Sequence, residues 1–448
     1  MPIADEIWRS FTFLQAPSGR PRIREEYDVS LFGTLRTPRN LVFGAGQRHA
    51  LAGYAAALGR RALVITDARL AADPEFTRLV GSLSRAGLEA MVFDGTIAEL
   101  PMECIDEAVE AGRAHGADLV IGIGGGSCLD AAKIAALLLA HGGKVSDYYG
   151  EFKVPGPVLP LILMPTTSGT GSEVTPVAVV TDPDRAMKVG IASPHLISHT
   201  AICDPELTRT CPPALTAMSG ADALTHAIEA FTTLRRQPTG TIVHEHVFLG
   251  KNALSDHYAL LAIAHIASSL KRAYDDGNDL EARERLMFGA MAAGLAFGTA
   301  GTAAAHAVQY PIGAMTHTPH GAGVAVMMPY VMEFNRHHCT TELAEIGKAM
   351  GLDLTDMTAF EQASATIDAV DDLFASIGIP RTIADLGITN TQLALVAEQA
   401  MGIARLIKNN PRPIDIGNMA ILVESAFSGD RDRLRAEASG RTIEQRAS

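Results

Sequence analysis

The sequence predicts an α/β fold in which a doubly wound parallel sheet is followed by an all-α C-terminal domain. Two observations predict it. In the first part of the chain, short apolar runs alternate with longer stretches of helical spacing, which is the pattern of βαβ units. After Cys211, runs typical of strands are scarce, and apolar residues recur at helical spacing instead.

The sheet domain is expected over residues 38–211, after a polar and mixed N-terminal extension over residues 1–37. Its strands are predicted at the short apolar runs 41–43, 62–65, 89–93, 119–123 and 159–164. The helices between them are predicted at 49–58, 76–86, 102–115 and 130–141. Strands that are connected through helices in this way run parallel to one another.

The helical domain is expected over residues 212–448. Pro212 and Pro213 mark its start, since a proline at the first helical position lacks only an N–H that would have no partner there. Helical spacing predicts helices at 214–231, 259–275, 280–297, 342–350, 359–377 and 391–404. Alanine and glycine are enriched over 289–307, where small side chains let helices pack closely.

Composition and charge exclude several classes of protein. Hydrophobic residues make up 47% of the 448 residues, which is enough for a large core. Lys and Arg number 37 against 50 Asp and Glu, a formal charge of −13, so neither nucleic-acid binding nor attraction to anionic membranes is expected. No apolar run reaches the ~20 residues that span a bilayer, and no signal peptide is visible. Five scattered cysteines without a CxxC motif predict reduced thiols in a cytoplasmic protein.

A glycine-rich loop, 122–127, lies directly between a predicted strand and a predicted helix. Backbone N–H groups in such a loop can approach a diphosphate, and the helix N-terminus adds a favourable partial charge. The spacing is not GxGxxG, and a tight strand-to-helix turn without a ligand is the alternative. The hydroxyl-rich loop 165–173 also follows a predicted strand, at the sheet edge where ligands bind in open α/β sheets.

Asp67 closes the predicted strand 62–65. A carboxylate there can accept hydrogen bonds from an adenosine ribose, and it repels a 2′-phosphate, which predicts NAD rather than NADP. The alternative interpretation is an ordinary helix N-cap.

Asp222 and His226 are four residues apart in a predicted helix, so their side chains share one face and can hold one ion. With His306 and His320 further along the chain they form a four-ligand set for Fe²⁺ or Zn²⁺. An Asp/His pair at this spacing often arises by accident, but the neighbouring apolar residues would make an unpaired Asp222 costly. His317, three residues before His320, is a candidate proton-relay group.

These segments together resemble the iron-containing (group III) alcohol dehydrogenases, from about Arg39 to Phe334 and more loosely beyond. The resemblance rests on five motifs, at 124–133, 165–175, 204–207, 220–230 and 306–321. It implies a Rossmann-like N-terminal domain, a helical C-terminal domain, and a cleft between them that holds NAD(P) and a divalent metal. It also implies a homodimer or a larger homo-oligomer.

The resemblance assigns site residues by position. It implies that Asp222, His226, His306 and His320 are metal ligands. It implies that the nucleotide-contacting positions are Asp67, Gly125, Gly126, Ser127, Thr166, Thr167, Thr170, Val179 and Lys188, and Asp130 of the glycine motif is assigned to the same site. Many members have a second histidine four residues after the ligand at 306, but this chain has Tyr310. Tyr310 is a catalytic candidate by its position, although tyrosine is a poor base at neutral pH, so that a proton relay through its side chain is not expected.

The expected function is metal-assisted hydride transfer between a small alcohol and NAD, giving an aldehyde or ketone. Tyr310-Pro311-Ile312 and the insert 235–256 are similar to the hydroxyacid-oxoacid transhydrogenase branch, which keeps NAD(H) bound, so that activity is the main alternative. A metal-dependent polyol lyase or synthase and a non-catalytic nucleotide-binding protein are the remaining ones.

Overall fold

The structure, a computed structural model, describes residues 31–182 and 187–438. The predicted N-terminal extension therefore lies outside the described residues up to position 30. The strands are β1 Asn40–Phe43, β2 Arg61–Ile65, β3 Glu89–Phe93, β4 Leu119–Gly124, β5 Gly150–Glu151, β6 Leu161–Pro165, β7 Val177–Asp182, β8 Met187–Ala192 and β9 Thr200–Cys203.

Six of these strands form one parallel sheet in the order β1-β9-β6-β4-β2-β3. The chain moves outward from β2 to β3 and then returns to place β4 on the other side of β2. This reversal brings the carboxyl ends of β2 and β4 together, and β6 lies beside β4. Open α/β sheets bind ligands at such a reversal. A smaller sheet pairs β7 with β8 antiparallel and β8 with β5 parallel.

The described chain also contains α-helices, which are joined to one another and to the strands by loops and short 3-10 helices. Those of the sheet region are α1 Leu51–Leu58, α2 Ala68–Ala71, α3 Pro74–Arg85, α4 Met102–His115 and α5 Gly126–His141. The later ones are α6 Pro213–Thr232, α7 Ile242–Glu245, α8 Ala253–Asp275, α9 Leu280–Ala300, α10 Ala304–Thr316, α11 His320–Asn335, α12 Thr340–Ala349, α13 Ala359–Ser376, α14 Leu393–Met401, α15 Ala404–Ile407, α16 Ile416–Ser428 and α17 Arg431–Ala438. The predicted fold class is confirmed.

The hydrophobic cores follow this division. Apolar side chains on the two faces of the main sheet pack under α4 and α5 on one side and under α1 and α3 on the other. A larger core joins α6, α8, α9, α10 and α11 to the helices that follow them. Helix α6 is buried over most of its length, which gives its polar residues an apolar setting.

The sheet region and the helical region meet closely where two glycines face each other. A Cβ added to Gly294 in α9 would lie 2.9 Å from the Cα of Gly171, in the loop after β6. Gly171 itself has a φ of 58°, which other residues rarely adopt. This contact holds the loop after β6 against α9. The small residues over 289–307 were expected to let helices pack closely, and here one of them lets a loop approach a helix.

Among the described residues, no single helix is long and apolar enough to cross a membrane, although the bent pair α9 and α10 meets that length and composition when taken together. All five cysteines are buried and free.

Candidate active site

A cavity of about 500 Å³ lies where the carboxyl ends of β2, β4 and β6 face helices α6, α10 and α11. The loops after these three strands form one wall. The predicted site residues that line the cavity are Asp67, Gly125, Gly126, Ser127, Asp130, Thr166, Thr167, Thr170, Val179, Lys188, Asp222, His226, His306, Tyr310 and His320. The two groups that the sequence analysis separated, around the glycine loop and around the histidines, therefore face one space.

The glycine loop leads directly from β4 into α5. Gly125 is the N-cap of α5, and no side chain hydrogen-bonds to the first backbone N–H groups of that helix. A Cβ at Gly126 would lie 2.6 Å from the Cγ2 of Thr170, so only glycine lets the two loops approach this closely. Unpaired N–H groups at a helix N-terminus favour an anionic ligand, as a diphosphate requires.

Asp67 has two contacts that bear on its role. One carboxylate oxygen accepts a hydrogen bond of 2.8 Å from the backbone N–H of Leu70, which makes Asp67 the N-cap of α2. The other oxygen lies 3.9 Å from the Sγ of Cys128, inside the cavity wall. The carboxylate is thus a helix cap and also part of the cavity, so the two interpretations of the sequence are compatible.

Asp130 is used by the protein itself. Its carboxylate accepts hydrogen bonds from the Ser172 hydroxyl, at 2.5 Å, and from the backbone N–H of Val179, at 2.9 Å. Burial raises the pKa of Asp130. The carboxylate therefore joins α5 to the loop after β6 and to β7. Lys188 also lines the cavity and forms an ion pair with Glu99, at 2.5 Å.

Asp222 and the three histidines converge on one point. The Asp222 Oδ1 atom lies 3.7 Å from the Nε2 of His226 and 3.8 Å from the Nε2 atoms of both His306 and His320. One ligand atom from each of the four residues lies within 4.8 Å of every other. Helix α6 supplies two of the residues, α10 supplies His306, and α11 begins at His320.

The orientation of two histidines is set by hydrogen bonds on the far side of their rings. The Nδ1 of His306 donates to the Glu229 carboxylate at 2.6 Å, and the Nδ1 of His320 donates to the Oε1 of Gln309 at 2.7 Å. Glu229 also accepts from the backbone N–H groups of Ala303 and Ala305, so it holds the start of α10 in place. With Nδ1 as the donor, each Nε2 is left free to bind a ligand.

Burial controls the charges in this cluster. It raises the pKa of Asp222 to about 6, and it lowers the pKa values of His226 and His320 well below their ordinary value. His226 and His320 are therefore neutral at physiological pH, which is the form that binds metal ions. Phe297 stacks on His226, with the ring centroids 4.1 Å apart, and covers that side of the cluster.

The two remaining catalytic candidates lie in different places. Tyr310 lines the cavity, with its ring 6.0 Å from that of His320, and burial raises the pKa of its hydroxyl. A raised pKa keeps the hydroxyl protonated at neutral pH, which agrees with the expectation that this side chain is not a proton relay. His317 is exposed and lines a neighbouring cavity with Thr316 and Asp385 instead.

Several residues that shape the cavity or orient its histidines were not predicted from the sequence. Those that line the cavity are Thr96, Cys128, Phe248, Phe297, Thr302 and Arg405, and those that orient His306 and His320 are Glu229 and Gln309. Burial raises the pKa of the Cys128 thiol to about 12, so the thiol stays protonated. Phe248 comes from the insert, and Arg405 comes from α15, far along the chain. Apart from the position of Glu229 within the motif 220–230, no local pattern identified them.

Comparison with known proteins supports this arrangement. A model of the iron-containing alcohol dehydrogenase family matches residues 38–205, and a model of the C-terminal region of the Fe-containing alcohol dehydrogenase family matches residues 216–427. Long-chain-alcohol dehydrogenase 1 of Geobacillus thermodenitrificans is 37% identical over 82% of this chain and 89% of its own length. Choline dehydrogenase of Bacillus subtilis is 35% identical over 86% of this chain and 92% of its own length.

Solved structures show the same likeness. The crystal structure of a 1,3-propanediol oxidoreductase has a TM-score of 0.82 and 30% identity, covering 88% of this chain and 99% of its own. A sulfoacetaldehyde reductase from Bifidobacterium kashiwanohense, crystallised in complex with NAD⁺, has a TM-score of 0.77 and 28% identity, covering 90% of this chain and 100% of its own. The chain therefore belongs to the iron-containing alcohol dehydrogenase family and is an oxidoreductase of that family.

Proposed function

We propose that the chain is a divalent-metal-dependent, NAD-linked dehydrogenase that interconverts an alcohol with an aldehyde or ketone. One observation carries the proposal. The four-residue cluster of Asp222, His226, His306 and His320 faces the same cavity as the glycine loop and the N-terminus of α5. A metal ion and a nicotinamide cofactor bound there would share one substrate space.

The cluster fits a metal ion. The Oδ1 of Asp222 and the Nε2 of His306 are buried and have no hydrogen-bond partner, which is costly unless a ligand completes them. Three imidazole nitrogens and one carboxylate oxygen suit Fe²⁺ and also Zn²⁺. We propose Fe²⁺ because the family model that matches this chain describes iron-containing enzymes.

The opposite wall fits NAD. The α5 N-terminus would receive the diphosphate, with Gly125, Gly126 and Ser127 supplying close backbone contacts. The threonines 166, 167 and 170 surround the same space, and the Oγ1 of Thr166 is buried without a partner. Asp67 would accept from the adenosine ribose. A related reductase crystallised with NAD⁺ supports this choice of cofactor.

The protein holds and shields the reactants. When bound, the metal ion supplies Lewis acidity toward the alcohol oxygen, and NAD⁺ accepts the hydride. Glu229 and Gln309 keep the histidine rings oriented, and Phe297 excludes water from one side of the cluster. Asp130, in α5, holds β7 and the loop after β6 against that helix through its two hydrogen bonds.

Further parts of the proposal rest on the resemblance and on composition. They are a small-molecule alcohol or aldehyde substrate, a homodimer or higher homo-oligomer, a cytoplasmic location, and a division of the chain at residues 211 and 212. The transhydrogenase alternative is not favoured, because the relatives and neighbours described above are named as dehydrogenases, reductases or oxidoreductases.

The test is a screen of alcohols and diols for NADH formation, on protein reconstituted separately with Fe²⁺ and Zn²⁺. We expect turnover with at least one metal, and we expect His320→Ala to lose both bound metal and activity. His49→Ala, at an exposed histidine away from the cavity, is the matched control. A His320→Ala protein that keeps stoichiometric metal and full activity contradicts the ligand assignment. Turnover without net NADH formation favours a lyase.

A further inference from the structure

We propose that Arg405 binds an anionic group on the substrate, so that the preferred substrate is a short alcohol or aldehyde that also carries a carboxylate or a similar oxyanion. This inference deepens the proposed function and rests on it, because it assigns a ligand to another residue that lines the same cavity. No sequence motif points to Arg405.

Arg405 is a cation without an anionic partner. Its side chain lines the cavity and is partly buried, yet it makes no hydrogen bond or ion pair with any described residue. Its one specific contact is with the ring of Phe248, whose centroid lies 4.6 Å from the guanidinium carbon. Lys188, another cation of the cavity wall, is paired with Glu99. A guanidinium has five N–H donors, so a partly buried one without acceptors is suited to an oxyanion ligand.

Arg405 lies on the substrate side of the cavity. Helix α15, which carries it, packs against α10, which carries His306 and Tyr310. Phe248, which contacts the guanidinium, and Thr302, whose carbonyl oxygen accepts from Asn409, also line the cavity. Asp67, at the cofactor side, precedes α2 and belongs to the other wall of the cavity. The guanidinium is thus placed to meet the substrate rather than the adenosine half of the cofactor.

The position of Arg405 is fixed by its neighbours in the chain. The side-chain amide of Asn409 donates to the carbonyl oxygens of Ala300 and Thr302, at 2.9 and 3.1 Å, and so ties the end of α15 to the turn before α10. Gly301 in that turn has a φ of 82°, and a Cβ there would lie 2.9 Å from the Asn409 amide nitrogen. The turn is therefore closely packed, and the end of the helix that carries Arg405 is held against it.

Phe248 is tied to the same turn. The backbone N–H of Leu249 donates to the carbonyl oxygen of Thr299 at 2.7 Å, and the N–H of Gly250 donates to that of Ala300 at 3.1 Å. A Cβ at Gly301 would lie 3.1 Å from the Cβ of Phe248. The insert and α15 thus meet at one turn, and the aromatic ring supports the guanidinium from one side. Such preorganisation lowers the entropic cost of binding.

Charge decides which substrates this wall accepts. An oxyanion that receives charge-assisted hydrogen bonds from Arg405 gains binding energy, whereas a cationic alcohol is repelled by the same guanidinium. A neutral alkanol can bind but leaves the donors without acceptors. Losing charge-assisted hydrogen bonds of ordinary strength lowers kcat/KM by roughly 10- to 100-fold.

The experiment compares substrates that are matched in carbon number. NADH formation is measured for 3- and 4-carbon ω-hydroxyalkanoates, for the corresponding 1-alkanols and for choline, with the wild type, Arg405→Gln, Arg405→Lys and Lys408→Gln. We expect the wild type to favour the hydroxyalkanoates. We expect Arg405→Gln to lower the ratio of their kcat/KM to that of the alkanols by about 10- to 100-fold, mainly through KM. Arg405→Lys should restore part of that ratio.

Lys408→Gln removes an exposed positive charge from the same segment and should leave the ratio unchanged. Butanoate binding is measured by calorimetry in parallel, and Arg405→Gln should weaken it. A wild type that favours alkanols, with a ratio that Arg405→Gln does not alter, overturns the inference and leaves the proposed function intact. Protein that oxidises neither class, yet turns over another alcohol or diol in the broader screen, overturns the inference and leaves the proposed function intact. Protein that turns over no alcohol in either experiment contradicts the proposed function, and butanoate binding then decides the role of Arg405.

Discussion

At the scale of single residues, one substitution can separate the helix cap that Asp67 forms from the proposed effect of its charge on cofactor choice. Asparagine caps a helix about as well as aspartate, so Asp67→Asn keeps the hydrogen bond to Leu70 while it removes the negative charge. We expect the preference for NAD⁺ over NADP⁺ in kcat/KM to fall about tenfold, because the 2′-phosphate is no longer repelled.

The control for that change is Asp73→Asn, at the N-cap of α3 and outside the cavity. It should leave the cofactor preference unchanged. A wild type that prefers NADP⁺, or an Asp67→Asn protein with an unaltered preference, shows that the Asp67 charge does not select the cofactor.

Glu229, near the end of α6, orients His306, one of the proposed metal ligands. Glu229→Gln keeps the shape of the side chain but gives the His306 Nδ1 a weaker acceptor. We expect metal affinity to fall about 10- to 100-fold, as is usual when such a partner is changed. Competition against a chelator measures it.

Glu107→Gln, at an exposed position of α4, serves as the matched control for that measurement. Unchanged metal affinity in Glu229→Gln would mean that the hydrogen bond to His306 does not tune the ligand.

Residues whose role follows from a motif could be predicted from the sequence. The structure places one ligand atom of each of the four predicted metal ligands within 4.8 Å of the others. Gln309, Glu229 and Arg405 could not be assigned a role from the sequence, for a physical reason. Glu229 and Gln309 hydrogen-bond to histidines on other helices, and Arg405 reaches the cavity from α15, whereas the local sequence around each of them is compatible with many roles. Three-dimensional packing alone brings them to the cavity.

At the scale of elements, alternation of apolar runs and helical spacing located the strands β2, β3 and β4 within a residue of their observed ends. The hairpin of β7 and β8 and the short strand β9 were not predicted, because no α-helix of the described chain separates them and the alternation of strands with helices is absent there. Helices α10 and α11 were also missed. Each contains a proline, Pro311 and Pro329, which ordinarily argues against a helix interior.

The contact between α9 and the loop after β6 depends on the absence of a side chain at Gly294. In Gly294→Ala, the new Cβ would lie 2.7 Å from Val174 and 2.9 Å from the backbone of Gly171. Since backbone atoms cannot rotate away, we expect a loss of about 1 to 3 kcal/mol in the free energy of unfolding. Chemical denaturation measures it.

The matched helix glycine is Gly53, in α1, where a Cβ would meet nothing within 4 Å. Gly53→Ala should stabilise the protein by up to about 1 kcal/mol. Equal effects of the two substitutions would mean that the contact between Gly171 and Gly294 carries no packing constraint.

At the scale of the whole molecule, the free energy of unfolding should depend on pH through buried titratable side chains near the cavity. Burial raises the pKa of Glu173 to about 7 and lowers the pKa of Lys133 to about 8. Between about pH 4.5 and 7 the folded state keeps a proton on Glu173 that the unfolded chain releases. The free energy of unfolding therefore falls as the pH rises through that range, as far as Glu173 is concerned.

Glu173→Gln removes this dependence. Relative to the wild type, the variant should gain about 1 to 3 kcal/mol in the free energy of unfolding between pH 4.5 and 7. Denaturation at several pH values measures the difference, with Glu107→Gln as the control. Parallel pH profiles for Glu173→Gln and the wild type would mean that Glu173 titrates normally in the folded protein.

The proposed metal ligands come from distant parts of the chain, so metal binding would stabilise the folded enzyme. Helix α6 donates two of them, while the other two follow roughly 80 residues or more further along the chain. An ion held by all four would connect these parts of the chain and stabilise the folded state, by an amount that grows with the free concentration of the ion. The amount of enzyme that escapes proteolysis in the cell would then follow the iron status of its surroundings.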